Sequence, residues 1–189
     1  MLVSKFDTND IEDRMREFEK KLQINLPEAY REFMKKYNGG KTPKTDFRIN
    51  KISSDIRAFY TIGQSNIDYS FDTLINNNII DEFLEDGMLP IATTMWGDYI
   101  TIGIEEDGKG KIYFLYHDRK KQYVLLCESL SEFIGKCRSK KIGHIRTIAE
   151  RKQCMIENGY GDAITEETLK GWQAEIDEYA NLHQEKVVL

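Results

Sequence analysis

Residues 26–40 read LPEAYREFMKKYNGG. Pro27 suits the first position of an α-helix, and the large apolar residues after it recur on one helical face. Asn38, Gly39 and Gly40 readily adopt the left-handed backbone conformation that ends a helix. The stretch therefore predicts an amphipathic helix with a defined end, whose apolar face must be covered by other elements.

Another helix is predicted on the N-terminal side of this stretch. Asn9 with Glu12 three residues later has the spacing of a capping box, a reciprocal pair of hydrogen bonds that starts many helices. The apolar positions that follow share one face and are Ile11, Met15, Phe18 and Leu22. A first helix of about three turns is expected, packed as a pair with the helix of residues 26–40.

The C-terminal side of the stretch predicts an antiparallel sheet. Polar and apolar residues alternate from Asp98 to Glu105, and a Gly-rich turn leads to a second strand over Ile112–Tyr116. Both faces of that second strand are apolar, so we expect it to lie inside the sheet. A third strand over Tyr123–Cys127 completes a meander, and Ser129 begins a closing helix.

Beyond Gly143 the apolar residues have helical spacing, interrupted by a stop at Asn158 and Gly159. This pattern predicts a pair of helices. The predicted fold class is α+β: a mainly antiparallel sheet (a meander) flanked by two N-terminal helices and a closing helix, with an appended C-terminal helical hairpin. The predicted domains are residues 1–141, the α+β domain, and residues 142–189, the helical extension.

Length and composition are those of an ordinary globular chain. Of its 189 residues, 40% are hydrophobic and 31% are charged, which excludes disordered and fibrous classes and suits one domain with an appendage. No apolar run approaches the ~18 residues that span a bilayer, and the N-terminus lacks a secretory h-region. Three cysteines without a C-x-x-C spacing argue against a disulfide framework and a zinc finger. A reducing, cytoplasmic location is expected.

Acidic residues are concentrated in one part of the chain. Residues 58–108, called the acidic block below, contain ten Asp and Glu and no Lys, Arg or His. The rest of the chain therefore holds 22 acidic residues and all 27 of the Lys and Arg residues. A field of one sign steers a partner of opposite charge, so the block favours a basic partner; the alternative is a solvated face. Seven bases between Lys136 and Lys152 could contact phosphates. No aromatic residues interleave with them, so nucleic acid is not expected as a partner.

Two places in the acidic block combine aromatic and acidic side chains. Trp96 lies beside Gly97 at the start of the predicted hairpin, and Tyr69 follows an acidic residue. Such rings either anchor a protein partner or pack in the core. The candidate partner-binding residues are Asp68, Tyr69, Asp72, Trp96, Asp98, Glu105, Glu106 and Asp107.

The sequence has no constellation typical of catalysis. Residues 103–109 read GIEEDGK, which superficially matches a phosphate loop, but Gly110 stands where Ser or Thr is needed and the segment joins two strands. The three histidines fall on separate elements, so no metal site is predicted. Cys127 with His117 is a loose candidate for a nucleophile and base, against the alternative that both are structural. Neither enzyme activity nor a cofactor is expected.

Residues 26–40 resemble the N-terminal signature of the SUKH superfamily, which includes fungal Smi/Knr cell-wall regulators and many bacterial immunity proteins. Residues 89–98, reading LPIATTMWGD, and 112–118, reading IYFLYHD, are similar to the family's central hairpin, and Leu130–Ile134 is similar to its closing helix. The resemblance covers residues 10–141. One departure is Leu115, where the family often has Trp.

The resemblance implies a non-enzymatic binding domain that, in bacteria, neutralises a cognate polymorphic toxin by binding its catalytic domain. Such toxins are frequently nucleases or deaminases with basic clefts, which the acidic block would complement. The expected partner is thus a basic toxin catalytic domain, with the chain as a monomer or homodimer and with no membrane partner. The alternative is a regulatory or scaffolding module in which the extra helices, with Trp172, hold a host protein.

Overall fold

The computed structural model describes residues 1–64, 68–180 and 182–189. The chain forms two compact units, a larger one of residues 1–140 with 184–189 and a smaller one of residues 141–183. The larger unit contains an antiparallel sheet with helices before and after it, so the predicted α+β class is confirmed. None of the described helices is long and apolar enough to cross a membrane.

The chain begins with a short strand, β1 (Leu2–Val3), and two helices, α1 (Ile11–Leu22) and α2 (Glu28–Tyr37). Both helices bury the apolar face that their spacing predicted. The predicted capping box of Asn9 is wrong: Asp10 precedes α1 and makes no side-chain capping bond. The reason is that the Asn9 N–H donates to Asp7 Oδ1 at 3.1 Å, in a turn before the helix.

Consecutive segments build the main sheet. Its elements are β2 (Gly40–Ile49), β3 (Ile52–Phe59), the short helices α3 (Phe71–Asn76) and α4 (Ile79–Leu84), β4 (Met88–Thr93), β5 (Tyr99–Gly103), β6 (Ile112–Leu115), β7 (Val124–Cys127), helix α5 (Leu130–Lys136) and β8 (Arg138–Ser139). The strand order is β7-β6-β5-β4-β3-β2-β8, and neighbouring strands are antiparallel. The predicted meander of β5, β6 and β7, with β6 inside the sheet, is confirmed.

The sheet is strongly curled. The ring centroids of Phe47 on β2 and Phe114 on β6 are 6.2 Å apart, although three strands separate β2 from β6. Neighbouring strands lie about 4.8 Å apart, so a flat sheet would separate β2 from β6 by about 19 Å. In addition, Asn50 in the β2–β3 turn donates from Nδ2 to the Leu125 carbonyl of β7 at 3.2 Å. The curl therefore brings β2 and β3 close to β6.

The smaller unit contains α6 (Ile148–Glu157), a 3-10 turn (Gly161–Ala163) and α7 (Glu166–Ala180). Arg151 of α6 joins the two helices: it pairs with Glu175 at 2.7 Å, and its guanidinium lies 6.0 Å from the Trp172 ring centroid. No residue of α6 or α7, all of which are described, is buried. The two helices therefore associate through partly exposed side chains.

The end of the chain returns to the larger unit. Strand β9 (Glu185–Lys186) pairs antiparallel with β1, and Val187 is buried. The sequence placed residues 184–189 in the helical extension, whereas they pack with residues 1–140. Local periodicity does not reveal this pairing because the partner strand lies at the other end of the chain.

Candidate partner-binding site

The turn between β4 and β5 projects Met95 and Trp96 from the larger unit. The Thr94 hydroxyl oxygen accepts hydrogen bonds from the backbone N–H groups of Trp96 (3.2 Å) and Asp98 (3.1 Å). Asp55 of β3 accepts from the Met95 N–H at 2.9 Å. Trp96 is 77% exposed. Because the backbone of this turn is held at several points, it has little conformational freedom left to lose when the exposed ring contacts a partner.

This turn borders a depression of about 360 Å³, called the Trp96 pocket below. Residues of the β2–β3 hairpin line one side of it, and residues on β6 or next to β5 and β6 line the other. The lining residues are Asp46, Ser53, Ser54, Asp55, Trp96, Asp98, Phe114 and Tyr116. The pocket thus combines three carboxylates with aromatic rings, and among the residues that the structure describes no lysine or arginine lines it.

Two of the carboxylates face each other across the sheet. Asp46 on β2 is directly opposite Asp55 on β3. Like charges in directly opposed positions of an antiparallel pair repel each other. Arg138 on β8 lies directly opposite Asp46 on its other side and offsets part of this repulsion.

Asp98 is the buried carboxylate of the pocket, with 6% exposure. Its Oδ1 accepts from the His117 backbone N–H (3.1 Å) and from His117 Nδ1–H (2.9 Å). The ligand atoms of Asp98, His117 and Asp118 lie within 4.8 Å of one another and form a group that could hold a metal ion. A metal ion would have to replace the Asp98–His117 hydrogen bond. As it stands, this bond orients Asp98 and holds the end of β6 against the Trp96 turn.

The other predicted site residues lie elsewhere. Tyr69, before α3, is half-buried, and the Lys41 ammonium and Arg57 guanidinium lie 5.9 and 5.6 Å from its ring centroid. Asp68 is exposed and Asp72 is half-buried in the first turn of α3. None of these three predicted residues lines the Trp96 pocket. The Tyr69 ring already contacts cations of its own chain.

Glu105, Glu106 and Asp107 are exposed in the connection from β5 to β6. Together with Asn25, Ile104 and Lys109 they line a second depression, of about 460 Å³. This connection follows β5, whereas Trp96 precedes it, so the two groups lie at opposite ends of the strand. The structure therefore brings Trp96 and Asp98 together and leaves Glu105–Asp107 apart from them.

Part of the acidic block is neutralised by a base from outside it. Lys121 Nζ lies 2.5 Å from Asp86 Oδ2, and the Tyr123 hydroxyl donates to the same oxygen at 2.9 Å. The hydrogen bond from Lys121, followed by that from Tyr123, lowers the pKa of Asp86. The charge asymmetry of the surface is therefore smaller than the sequence alone indicates.

Sequence reasoning missed Asp46, Asp55 and Tyr116. The two carboxylates precede the acidic block and are separated in the chain from Trp96. The alternation of Asp46 with buried neighbours on β2 is a signal that it lies on an exposed face, and the strand register puts Asp55 on the same face. Only the strand register and the curl of the sheet place them beside Trp96.

Cys127 and His117 lie at opposite ends of β6. Cys127 is paired with Ile112, at the start of that strand, and His117 lies five residues further on, a distance of about 17 Å along an extended chain. Burial raises the pKa of the Cys127 thiol, which keeps it protonated. The geometry does not combine these two residues as nucleophile and base.

A protein-family model matches most of the larger unit of this chain. The family model described as the SMI1 / KNR4 family (SUKH-1) matches residues 11–136. This range runs from the start of α1 to the end of α5 and includes every residue that lines the Trp96 pocket. No curated protein matches the chain. Because the match spans well over half of the 189 residues, the predicted resemblance is confirmed and the chain belongs to the SMI1 / KNR4 family (SUKH-1).

Proposed function

We propose that this chain is a cytoplasmic immunity protein that neutralises a cognate bacterial toxin by covering the toxin's basic catalytic surface. The observation that carries the proposal is the Trp96 pocket, in which an exposed aromatic ring borders three carboxylates. Family membership supports a protein-interaction domain in general. In this proposal the chain acts by binding and performs no chemistry itself.

The exposed acidic residues and the pocket have different parts in this binding. Exposed carboxylates such as those of Asp68 and Glu105–Asp107 act over distance and accelerate the encounter with a basic surface. Trp96 acts at contact, since buried Trp residues near the centre of an interface contribute disproportionately to affinity. A toxin that acts on nucleic acid holds phosphates with bases, so an acidic protein competes for the same surface.

Co-expression tests the proposal. The chain is produced together with the large polypeptide encoded beside it in its own genome, host survival is scored, and the complex is isolated across a salt series. We expect survival and a stoichiometric complex whose affinity falls as salt rises. Absence of both survival and a complex would contradict the proposal.

A matched pair of substitutions locates the interface. Trp96→Ala should weaken the complex by about 30-fold or more, as expected for an interface anchor. Tyr160→Ala is the control, because Tyr160 is also an exposed aromatic residue (63%) but belongs to the smaller unit. Equal affinity for the wild-type chain and Trp96→Ala would exclude the Trp96 pocket as the contact.

The smaller unit favours a second candidate function, a regulatory or scaffolding module. Its helices α6 and α7 bury no residue, while Ile156 and Tyr160 are 58% and 63% exposed. Under this alternative, Tyr160→Ala loses the partner and Trp96→Ala retains it. Point substitutions are preferable to deleting residues 143–189, because that deletion would also remove β9 and the buried Val187.

A further inference from the structure

The Trp96 pocket contains negative charge that no lysine or arginine among its described lining residues neutralises. Asp55 uses one carboxylate oxygen to accept from the Met95 N–H, and Asp46, directly opposite it, makes no ion pair in the described part of the chain. Arg138 is the neighbour of Asp46 on β8, yet it does not line the pocket. A cation placed between the two opposed carboxylates would remove their repulsion.

Trp96 is the ring of this pocket that remains available for stacking. The guanidinium of Arg119 already lies 3.8 Å from the ring centroid of Tyr116, with its Nε 3.9 Å from Asp118. Phe114 is buried and packs against Phe47. An indole is the aromatic side chain that attracts cations most strongly, and Trp96 presents it 77% exposed.

Arginine is the side chain that fits both features at once. Its planar guanidinium can stack on an indole while its N–H groups, which lie in the plane of the group, donate to carboxylates. A lysine ammonium is attracted by the same charges but offers no planar surface to stack. The preference for arginine over lysine therefore follows from geometry rather than from charge.

We propose that the Trp96 pocket binds one arginine side chain of the protein partner, with its guanidinium stacked on Trp96 and its N–H groups donated to Asp46 and Asp55. Asp98, which is held by His117, adds negative charge at the base of the pocket. The inference rests on the proposed function for the source of this arginine, the basic surface of the toxin.

A titration of the full-length chain with N-acetyl-arginine amide tests the pocket without any toxin. The chain has two tryptophans, so the indole N–H signal of Trp96 is followed by NMR and that of Trp172 serves as an internal reference. We expect a saturable shift of the Trp96 signal with a Kd of the order of millimolar. N-acetyl-lysine amide should bind more weakly, and N-acetyl-citrulline amide, a neutral molecule of nearly the same shape, should give no saturable shift.

Paired variants test the part played by the carboxylates. The double substitution Asp46→Asn and Asp55→Asn retains the shape of both side chains and should weaken binding at least tenfold, about the effect of removing both charges. The control, Glu17→Gln with Glu28→Gln, removes two exposed charges on α1 and α2, outside the pocket, and should leave binding unchanged within about twofold.

Three results would overturn the inference: no saturable shift of Trp96 at up to about 50 mM arginine amide, an equal shift with the citrulline compound, or unchanged binding by the double Asn variant. The titration and the co-expression experiment can be contradicted independently of each other. Arginine binding without rescue of the host would overturn the proposed function alone, whereas rescue without arginine binding would overturn the arginine pocket alone.

Discussion

Asn38 allows a direct test of how the helical and strand parts of the larger unit are joined. It is fully buried and ends α2 with a left-handed φ of 46°. Its Nδ2 donates to the carbonyls of Asp7 (2.7 Å) and Ile62 (3.2 Å), and its Oδ1 accepts from the Ile62 N–H (2.9 Å). The side chain therefore links the end of α2 to the segment before α1 and to the segment after β3.

The substitution Asn38→Ala should lower the free energy of unfolding by about 4 kcal/mol, since it removes three hydrogen bonds of about 1 kcal/mol each and places alanine in a left-handed conformation that costs about 1 kcal/mol. This loss is a large part of the free energy of unfolding of a typical domain, which is about 5–15 kcal/mol. Urea unfolding followed by circular dichroism measures the change, because the midpoint moves while the slope stays constant when only stability changes.

The control for this prediction is Asn50→Ala. Asn50 has a similar φ of 55° but is exposed, and its side chain makes one hydrogen bond, to the Leu125 carbonyl. The substitution Asn50→Ala should lower the free energy of unfolding by about 1–2 kcal/mol, mainly through the cost of the left-handed conformation. Equal losses for Asn38→Ala and Asn50→Ala would refute the reasoning, because the buried hydrogen bonds of Asn38 would then contribute nothing measurable.

Two further predictions concern titratable groups. Burial raises the pKa of Cys137 to about 12, and Cys127 is also buried. A thiol reagent at about pH 8 should therefore modify only the half-buried Cys154 in the native chain, and all three cysteines after unfolding. Prompt reaction of all three cysteines in the native chain would contradict this prediction. Hydrogen bonds led by the backbone N–H of Thr147 lower the pKa of Glu150 from 4.5 to about 2, so the start of α6 is stabilised above pH 4.5 and loses that stability as the pH falls toward 2. NMR of the Thr147 amide measures this transition, and a midpoint near 4.5 would contradict the prediction.

Local chemistry explains which parts of the fold were predictable. The end of α2 at Asn38 followed from residues 26–40, because the left-handed preference of Asn and Gly acts within a few residues. The β5–β6 hairpin followed in the same way from alternation and a Gly-rich turn. The capping box at Asn9 failed because Asp7, a neighbour that the motif does not consider, accepts its N–H.

The same distinction between local and long-range effects applies to the candidate site. Trp96 and Asp98 were singled out from the sequence because an aromatic residue within an acidic segment is a local pattern. Asp46 and Asp55 were not, because their approach to Trp96 depends on the register of β2 and β3 and on the curl that packs β2 against β6. The pairing of β9 with β1 is of the same kind. Sequence patterns act over a few residues, whereas register, curl and the pairing of distant strands arise when the whole core packs.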